Sequence, residues 1–373
     1  MQTTRAAVLR EAGQPLQIEE LELLPPGPGE VQIRVIATGI CGTDTTNAGN
    51  SKLPLPIVLG HEGAGIVEAL GEGVGRCAVG DHVVLSLIAQ CGVCRWCVNG
   101  QPHLCEPGVR AQRASALADG RPRFRKDGTD VYQLFGLGTF SERIVVQETA
   151  VVPIPKGLPF PVAALIGCGV LTGLGAALRT APVQRGGIAL VVGCGGVGMN
   201  IIQGARMAGA GRIIAIDPIA AKESVAIEFG ATDFASPGAM ADKVAEVTGG
   251  RGVDVAFDVV GSSATSRACI DLTRRGGAIC VVGSKAEAEI SVSPVMDLIR
   301  EAKVLCGCTY GSSYVLRDVT QAVAALANGS LHLEKMISNM IRLEDINQGL
   351  DFVRSGQGLR TVIAFEENDH SDK

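Results

Sequence analysis

Residues 188–217 read IALVVGCGGVGMNIIQGARMAGAGRIIAID, and this stretch constrains the fold more tightly than any other. An apolar run, Ile188 to Val192, leads into Gly193-x-Gly195-x-x-Gly198. A helix-compatible segment follows, then a second apolar run, Ile213 to Ile216, ending in Asp217. In such a strand–turn–helix–strand unit the first glycine allows the tight turn, the second lets backbone approach a pyrophosphate, and the third lets helix pack on strand. Gly196 and Val197 complete the turn. An anion there meets free N–H groups and the positive end of the helix dipole. Asp217 lies 19 residues beyond the last glycine. Its carboxylate can accept from both ribose hydroxyls and would repel a 2′-phosphate. Pro218 follows where an NADP binder more often offers Arg, so the expected cofactor is NAD.

The same alternation runs on from 188 to 308. Strands are expected near 188–192, 212–216, 232–235, 253–258, 278–282 and 304–308, with helix-length segments between, which predicts a doubly wound parallel sheet. The first 160 residues differ. Short alternating or β-branched runs (VQIRVIA, GAGIVEAL, DHVVLSLI) are broken by Gly and Pro, which reads as a β-rich, barrel-like domain. After about 310 come a helix, Asp318 to Ala327, a turn at Asn328-Gly329, a short helix near 344–355 and a last strand, Thr361 to Phe365. That tail is too small for its own core and is expected to return to the first domain. The α/β organisation is thus 1–169 with 310–373, and 170–309. The terminal EENDHSDK is expected to be a solvated end.

Composition narrows the function classes. With 46% hydrophobic residues the chain is not disordered, and a net charge of -5 argues against nucleic acid as a partner. No apolar stretch near 18 residues lacks Gly, Pro or charge, so no membrane span is expected, and the first residues lack the features of a signal peptide. A reducing cytoplasm follows, where the 12 cysteines need a reason other than disulfides. Four supply one: Cys91, Cys94, Cys97 and Cys105, in CGVCRWCVNGQPHLC. Short Cys-x-x-Cys steps let one loop wrap a zinc ion, and four thiolates leave no open position, so the site is structural, in a lobe at about 90–106. A second set is scattered: Cys41 in GICGTD, His61 in VLGHEGAG and Cys168 in IGCGVLTG. Two thiolates and one imidazole would leave a fourth zinc position open for chemistry. By residue type alone, a lone His in a Gly-rich turn is more often structural, and spacing leaves the two readings open. The other six cysteines show no ligand spacing and read as packing residues.

In order along the chain stand GHEGAGIVEALGEGV at 60–74, the Cys-rich run, GTFSER at 138–143, IGCGVLTG at 166–173, GCGGVG and LRTVIAF at 359–365. Over essentially its whole length the sequence resembles the zinc-dependent medium-chain alcohol dehydrogenases. The long segment between Cys105 and Thr139 resembles the branch holding the dimeric alcohol dehydrogenases and the glutathione-dependent formaldehyde dehydrogenases. The resemblance implies a GroES-like catalytic domain beside a Rossmann domain, two zinc ions per chain and NAD. It implies a homodimer with strand 304–308 near the two-fold axis, and hydride transfer between a small-molecule alcohol, primary or allylic and aryl, and the cofactor.

It also assigns residues. Cys41, His61 and Cys168 match the catalytic zinc ligands, Glu62 the acid behind the zinc, and Asp44 the carboxylate that fixes the imidazole tautomer. Thr43 matches the hydroxyl that touches substrate oxygen. Thr172 matches a nicotinamide contact, Lys222 an adenosine-ribose contact and Arg360 a pyrophosphate contact; Val282 is also placed at the cofactor. Leu87, Phe135 and Phe140 fall at pocket-wall positions. Two departures stand out: Thr46 replaces the usual relay His, and Gly42 replaces a cofactor-binding Arg or His. Val109 stands where a glutathione-dependent formaldehyde dehydrogenase usually carries Arg, with Arg110 one position on, so that activity is the alternative. A cofactor held between turnovers is another, and a non-catalytic binding or regulatory relative a remote third. Arg113, Arg121, Arg123, Arg125 and Lys126 make the insert locally basic, read as a solvated loop or, failing that, a handle for an anionic substrate.

Overall fold

The computed structural model describes residues 2–283, 285 and 288–365, so the acidic C-terminal stretch lies outside the described residues. The chain forms two units, Met1–Cys168 with Tyr314–Ala327 and Leu333–Lys373, and Gly169–Ser313 with Asn328–His332. The expected division assigns everything from 310 on to the first unit, whereas the second runs on to Ser313 and also takes residues 328–332. Those last join it because buried Gln203 takes both backbone groups of His332 (2.8 and 3.1 Å) and Arg206 donates to the Ser330 carbonyl at 2.7 Å.

The first unit is built on strand Glu30–Ile40. Antiparallel neighbours on both sides, Glu62–Leu70 and then Arg143–Gln147 and Arg360–Ala364, bury all but one of its residues. Strand Ile337–Ile341 extends the sheet in parallel beyond Arg360–Ala364. Sequence reasoning missed it, since ISNMI interleaves polar residues and alternates only between half-buried and exposed. A closed barrel completes the unit from Gln2–Leu9, Gln17–Leu23, Phe124–Lys126, Thr129–Gln133 and Ile57–Val58. The insert is therefore no solvated loop. It makes helix Glu106–Ala114 and the hairpin that closes the barrel. Phe124 and Val131, both 0% exposed, anchor that hairpin, at about 1.5–3 kcal/mol for each buried side chain. Nor is its charge free: Arg123 is bound by Glu30 and Asp119, Arg125 by Asp130, and Lys126 donates to the Glu20 carbonyl.

In the second unit six parallel strands run in the spatial order Asp233–Ala235, Arg212–Ile216, Ile188–Val192, Val253–Asp258, Thr273–Val281, Val304–Gly307. Numbered along the chain this is 3-2-1-4-5-6, the doubly wound order whose ligand crevice lies where the winding reverses, at the ends of Ile188–Val192 and Val253–Asp258. Leu190, Val191, Ile214, Ala256 and Phe257 are wholly buried, so the strands read as continuous apolar runs. Helix Phe160–Thr180 is long and apolar enough to cross a bilayer, yet 83% of its most apolar window is buried in the protein. Helix Val315–Ala327 starts three residues before the expected Asp318. The Tyr314 N–H donates to Asp318 Oδ2 at 2.8 Å and the Val315 N–H to Gln90 Oε1 at 3.0 Å, a tertiary cap that hydropathy does not reveal.

Candidate active site and metal centres

Cys41 ends the spine strand's path, His61 and Glu62 open the neighbouring strand, and Cys168 sits in a π-helical turn over Ile166–Val170. One ligand atom from each of these four residues lies within 4.8 Å of all the others. His61 is fully buried and its Nδ1 faces Asp44 Oδ1 at 3.0 Å. Its Nε2 has no partner among the described residues. A buried polar atom left unpaired costs about 1–3 kcal/mol, and a cation held with two thiolates removes that cost. The donor set of two sulfurs and one imidazole fits zinc. Asp44, itself 0% exposed, also accepts from the Gly60 N–H at 3.1 Å and the Cys41 N–H at 2.9 Å. One carboxylate thus aligns two candidate ligands and the turn between them.

Behind this cluster Glu62 and Arg360 face each other, Oε2 to Nε at 3.4 Å, both buried. Burial pushes the Glu62 carboxyl up to about 7, against the pull of the Arg360 charge. Burial also works against the Arg360 charge, and Glu62 and Cys41 outweigh it, so the guanidinium stays charged. Of the two thiols Cys41 is the more acidic, because the Cys168 thiol donates to it; Cys168 is pushed up correspondingly. A Cβ on Gly39, the register partner of Glu62, would fall 2.3 Å from Glu62 Oε2. A side chain at position 39 would push that carboxylate from its place.

The four-cysteine loop is equally closed. Cys91, Cys94, Cys97 and Cys105 bring their sulfurs within 4.8 Å of one another, with Cys94–Cys97 at 3.6 Å and Cys91–Cys97 at 4.0 Å. Four sulfurs at ~2.3 Å from one zinc lie ~3.8 Å apart in a tetrahedron, so the spacing fits. Backbone N–H groups of Cys94 and Cys91 point at Cys91 Sγ and Cys105 Sγ, each at 3.3 Å. The Cys97 N–H brings the Cys94 thiol down to about 6.

In the second unit Gly193 holds φ +99 at the end of its strand, a conformation L side chains rarely adopt. A Cβ on Gly198 would stand 1.9 Å from the Gly193 carbonyl oxygen. Helix Gly196–Met207 starts there, with Gly195 as its N-cap and Val197 half-buried in the first turn. Asp217 is buried, accepting from the Cys194 N–H at 2.8 Å and the Ile219 N–H at 2.9 Å, with Lys222 Nζ 3.2 Å away. Thr172 and Val282 are half-buried. Asp258 was not singled out from sequence. Wholly buried, it accepts from the N–H groups of Val260 and Gly261 and from the hydroxyls of Thr265 and Ser266, at 2.6–3.1 Å. It thereby fixes the turn whose Val260 side chain would meet a Cβ on Gly193 at 3.0 Å. An acid ending an apolar strand before VVGSS was the available clue.

The pocket-wall expectations divide. Phe135, in the left-handed region at φ 59, sets its ring edge-on to His61 with centroids 5.3 Å apart. Leu87 is half-buried at the edge of the core. Phe140 is 0% exposed inside the barrel, against Gly60, and is a packing residue rather than a wall. Thr43 is half-buried, and its hydroxyl has no partner among the described residues. Thr46 is exposed, its hydroxyl 3.2 Å from the Gly42 carbonyl of its own helix.

Comparison with known proteins agrees with this geometry. Residues 27–156 match the alcohol dehydrogenase GroES-like domain and residues 196–328 the zinc-binding dehydrogenase domain. The chain is 39% identical over 367 residues to the NDMA-dependent alcohol dehydrogenase of Amycolatopsis methanolica, covering 96% of this chain and 98% of that one. It is 36% identical over 375 residues to the S-(hydroxymethyl)glutathione dehydrogenase of Paracoccus denitrificans, covering 97% and 100%. The crystal structure of benzyl alcohol dehydrogenase from Acinetobacter calcoaceticus superposes with a TM-score of 0.92 at 28% identity, over 98% of this chain and 100% of that one. The chain belongs to the zinc-binding alcohol dehydrogenase family, with its GroES-like and Rossmann-type parts. It is an oxidoreductase of that family, and its reaction class is hydride transfer between an alcohol and the corresponding carbonyl compound.

Proposed function

We propose that the chain oxidises primary, allylic or aryl alcohols with NAD, using one catalytic and one structural zinc. The observation that carries this is the fully buried, unpartnered Nε2 of His61, gathered with Cys41 and Cys168 into a cluster that one cation would satisfy. Zinc held there supplies a Lewis acid that lowers the pKa of an alcohol hydroxyl and polarises a carbonyl. The protein's own groups do the rest. Asp44 keeps Nδ1 of His61 protonated so that Nε2 offers a lone pair. Thr43 receives the substrate hydroxyl proton, and Thr46, exposed one helical turn on, passes it to water in place of a relay histidine. Glu62 sits behind the ligands, charge-balanced by Arg360. Asp217 and Lys222 take the adenosine ribose, while Thr172 and Val282 face the nicotinamide.

Benzyl alcohol dehydrogenase, among the structural relatives, and half-buried Leu87 support an aryl or allylic substrate. The enzyme works as a homodimer in the reducing cytoplasm. Strand Val304–Gly307 ends its sheet among the described residues, and along the segment leading into and through it Val295, Met296, Ile299 and Val304 are 50–72% exposed, apolar surface suited to a second copy. None of the twelve cysteines is paired in a disulfide. The test is metal analysis with a screen of primary, benzylic and cinnamyl-type alcohols. Two zincs per wild-type chain are expected, and Cys168→Ala should lose turnover while binding NAD as before. Full turnover by that variant overturns the assignment. A rate with formaldehyde that depends on glutathione and exceeds the best alcohol would move the substrate to the S-(hydroxymethyl)glutathione class.

A further inference from the structure

Asp258 ends strand Val253–Asp258 between its register partners, Val192 on one side and Val281 on the other. It therefore stands at the mouth of the crevice where the winding reverses, yet its own carboxylate is wholly buried. The two oxygens hold different segments. Oδ1 accepts the N–H groups of Val260 at 3.1 Å and Gly261 at 2.9 Å, which curls the turn back onto the strand before it. Oδ2 accepts the hydroxyls of Thr265 at 3.1 Å and Ser266 at 2.6 Å, which pins the start of helix Ser263–Leu272 to the same point. The Asp258 carbonyl takes the N–H groups of Val282 at 2.9 Å and Gly283 at 3.0 Å, and the Val259 N–H reaches the Val192 carbonyl at 2.9 Å. These segments also press on one another. A Cβ on Gly283 would stand 2.4 Å from the Val259 oxygen, and one on Gly193 3.0 Å from Val260 Cγ2. What reaches the surface is the half-buried pair Val259 and Val260, not the acid that holds them.

We propose that Asp258 is a positioning residue for the dinucleotide: it builds one rim of the crevice before the cofactor arrives, and acts only through the turn it holds. This role rests on the NAD reading above. All four donors to the carboxylate are uncharged backbone or hydroxyl groups. A buried carboxylate needs every one of those hydrogen bonds, so the turn that supplies them has one stable arrangement, and Val260 one place beside Gly193. Without the carboxylate, residues 259–261 would become ordered only on binding. Fixing even one or two residues at that moment weakens affinity about tenfold. Asparagine keeps the geometry and removes the charge. Peptide N–H groups can only donate, so the asparagine oxygen must face Val260 and Gly261. Its NH2 then meets the Thr265 and Ser266 hydroxyls, which rotate to accept. Alanine removes all four hydrogen bonds.

The experiment is amide hydrogen exchange of the zinc-loaded protein with and without NADH, alongside NADH affinity read from the fluorescence of the nucleotide. In the cofactor-free wild type the Val260 and Gly261 amides should already exchange slowly, and NADH should slow them by less than about threefold. Asp258→Ala should speed both at least about tenfold and weaken NADH binding about tenfold, whereas Asp258→Asn should keep affinity within about threefold of wild type. An acid that serves stability alone would give Asp258→Ala a lower melting temperature with NADH affinity unchanged, and that result overturns the proposal. So does free exchange of both amides in the cofactor-free wild type, with protection appearing only on binding. That second arm needs no variant and decides the matter even if Asp258→Ala does not fold. Wild type that binds no NADH, with both amides still protected, overturns the NAD reading itself and this role with it.

Discussion

Asp44→Asn tests the metal reading at its most constrained carboxylate. The wild-type side chain takes three donors, Nδ1 of His61 at 3.0 Å and the N–H groups of Gly60 at 3.1 Å and Cys41 at 2.9 Å, with no solvent exposure. Asparagine is nearly isosteric but has one acceptor oxygen. Its better orientation keeps that oxygen on His61 and Gly60 and turns its NH2 towards the Cys41 N–H, setting donor against donor. One hydrogen bond to a charged group is lost outright, about 1.5–3 kcal/mol, and the other two become neutral. Cys41 and His61 then lose their alignment, so zinc affinity at this cluster should fall about 10- to 100-fold, equivalent to ~1.4–2.7 kcal/mol. Competition against a chromophoric chelator measures it, and the four-cysteine cluster, which Asp44 does not touch, is the control that should hold its zinc. Affinity within about twofold of wild type at both sites, with an unchanged melting temperature, would refute the argument.

Other expectations follow from equally local geometry. Gly198→Ala forces a Cβ to 1.9 Å from the Gly193 oxygen; the helix must back away, costing about 1–3 kcal/mol, and NAD titration should weaken alongside denaturant stability. If both stay unchanged, the close approach is not what selects glycine. Cys97→Ser should reduce zinc from two to one per chain and lower the melting temperature, while turnover per remaining zinc persists; turnover lost in proportion to zinc contradicts the division of roles. Asp297 is held down to about 2 by Arg267 and then by the Ser293 N–H. A depressed carboxyl stabilises above its ordinary pKa near ~4 and loses that contribution as pH falls through the depressed value. An NMR titration of Asp297 with its midpoint at ~4 would show the clamp does not form.

What the sequence disclosed depended on how local each feature is. The glycine turn, the strand before it and Asp217 lie within thirty residues, and their geometry follows from chain order. The four cysteines are legible for the same reason. Cys41, His61 and Cys168 were ambiguous by spacing, because what joins them is the pairing of Gly39 with Glu62 and a helical turn a hundred residues away. Phe140 misled because motif position does not say that its ring turns into the core against Gly60. The basic insert misled because Glu30 reaches Arg123 from the spine strand, while Asp119 and Asp130 within the insert pair with Arg123 and Arg125. Asp258 went unread since an acid ending a strand looks solvent-exposed until the turn after it curls back.

The two clusters also differ in when they can exist during folding. Cys91 to Cys105 closes a loop of 14 steps, whereas Cys41 to Cys168 closes one of 127. By loop-closure entropy alone the longer ring costs about 2 kcal/mol more, and its members come together only once strand Glu30–Ile40, its neighbour and helix Phe160–Leu165 have docked. The short loop could grip an ion while the rest of the chain is unfolded, so a metal there would act as a nucleus for the lobe. An ion at His61 would arrive last, once its ligands have been brought together. Two ions of one element would then differ in their rates of release: the late one leaves a folded protein, and the early one takes its lobe with it.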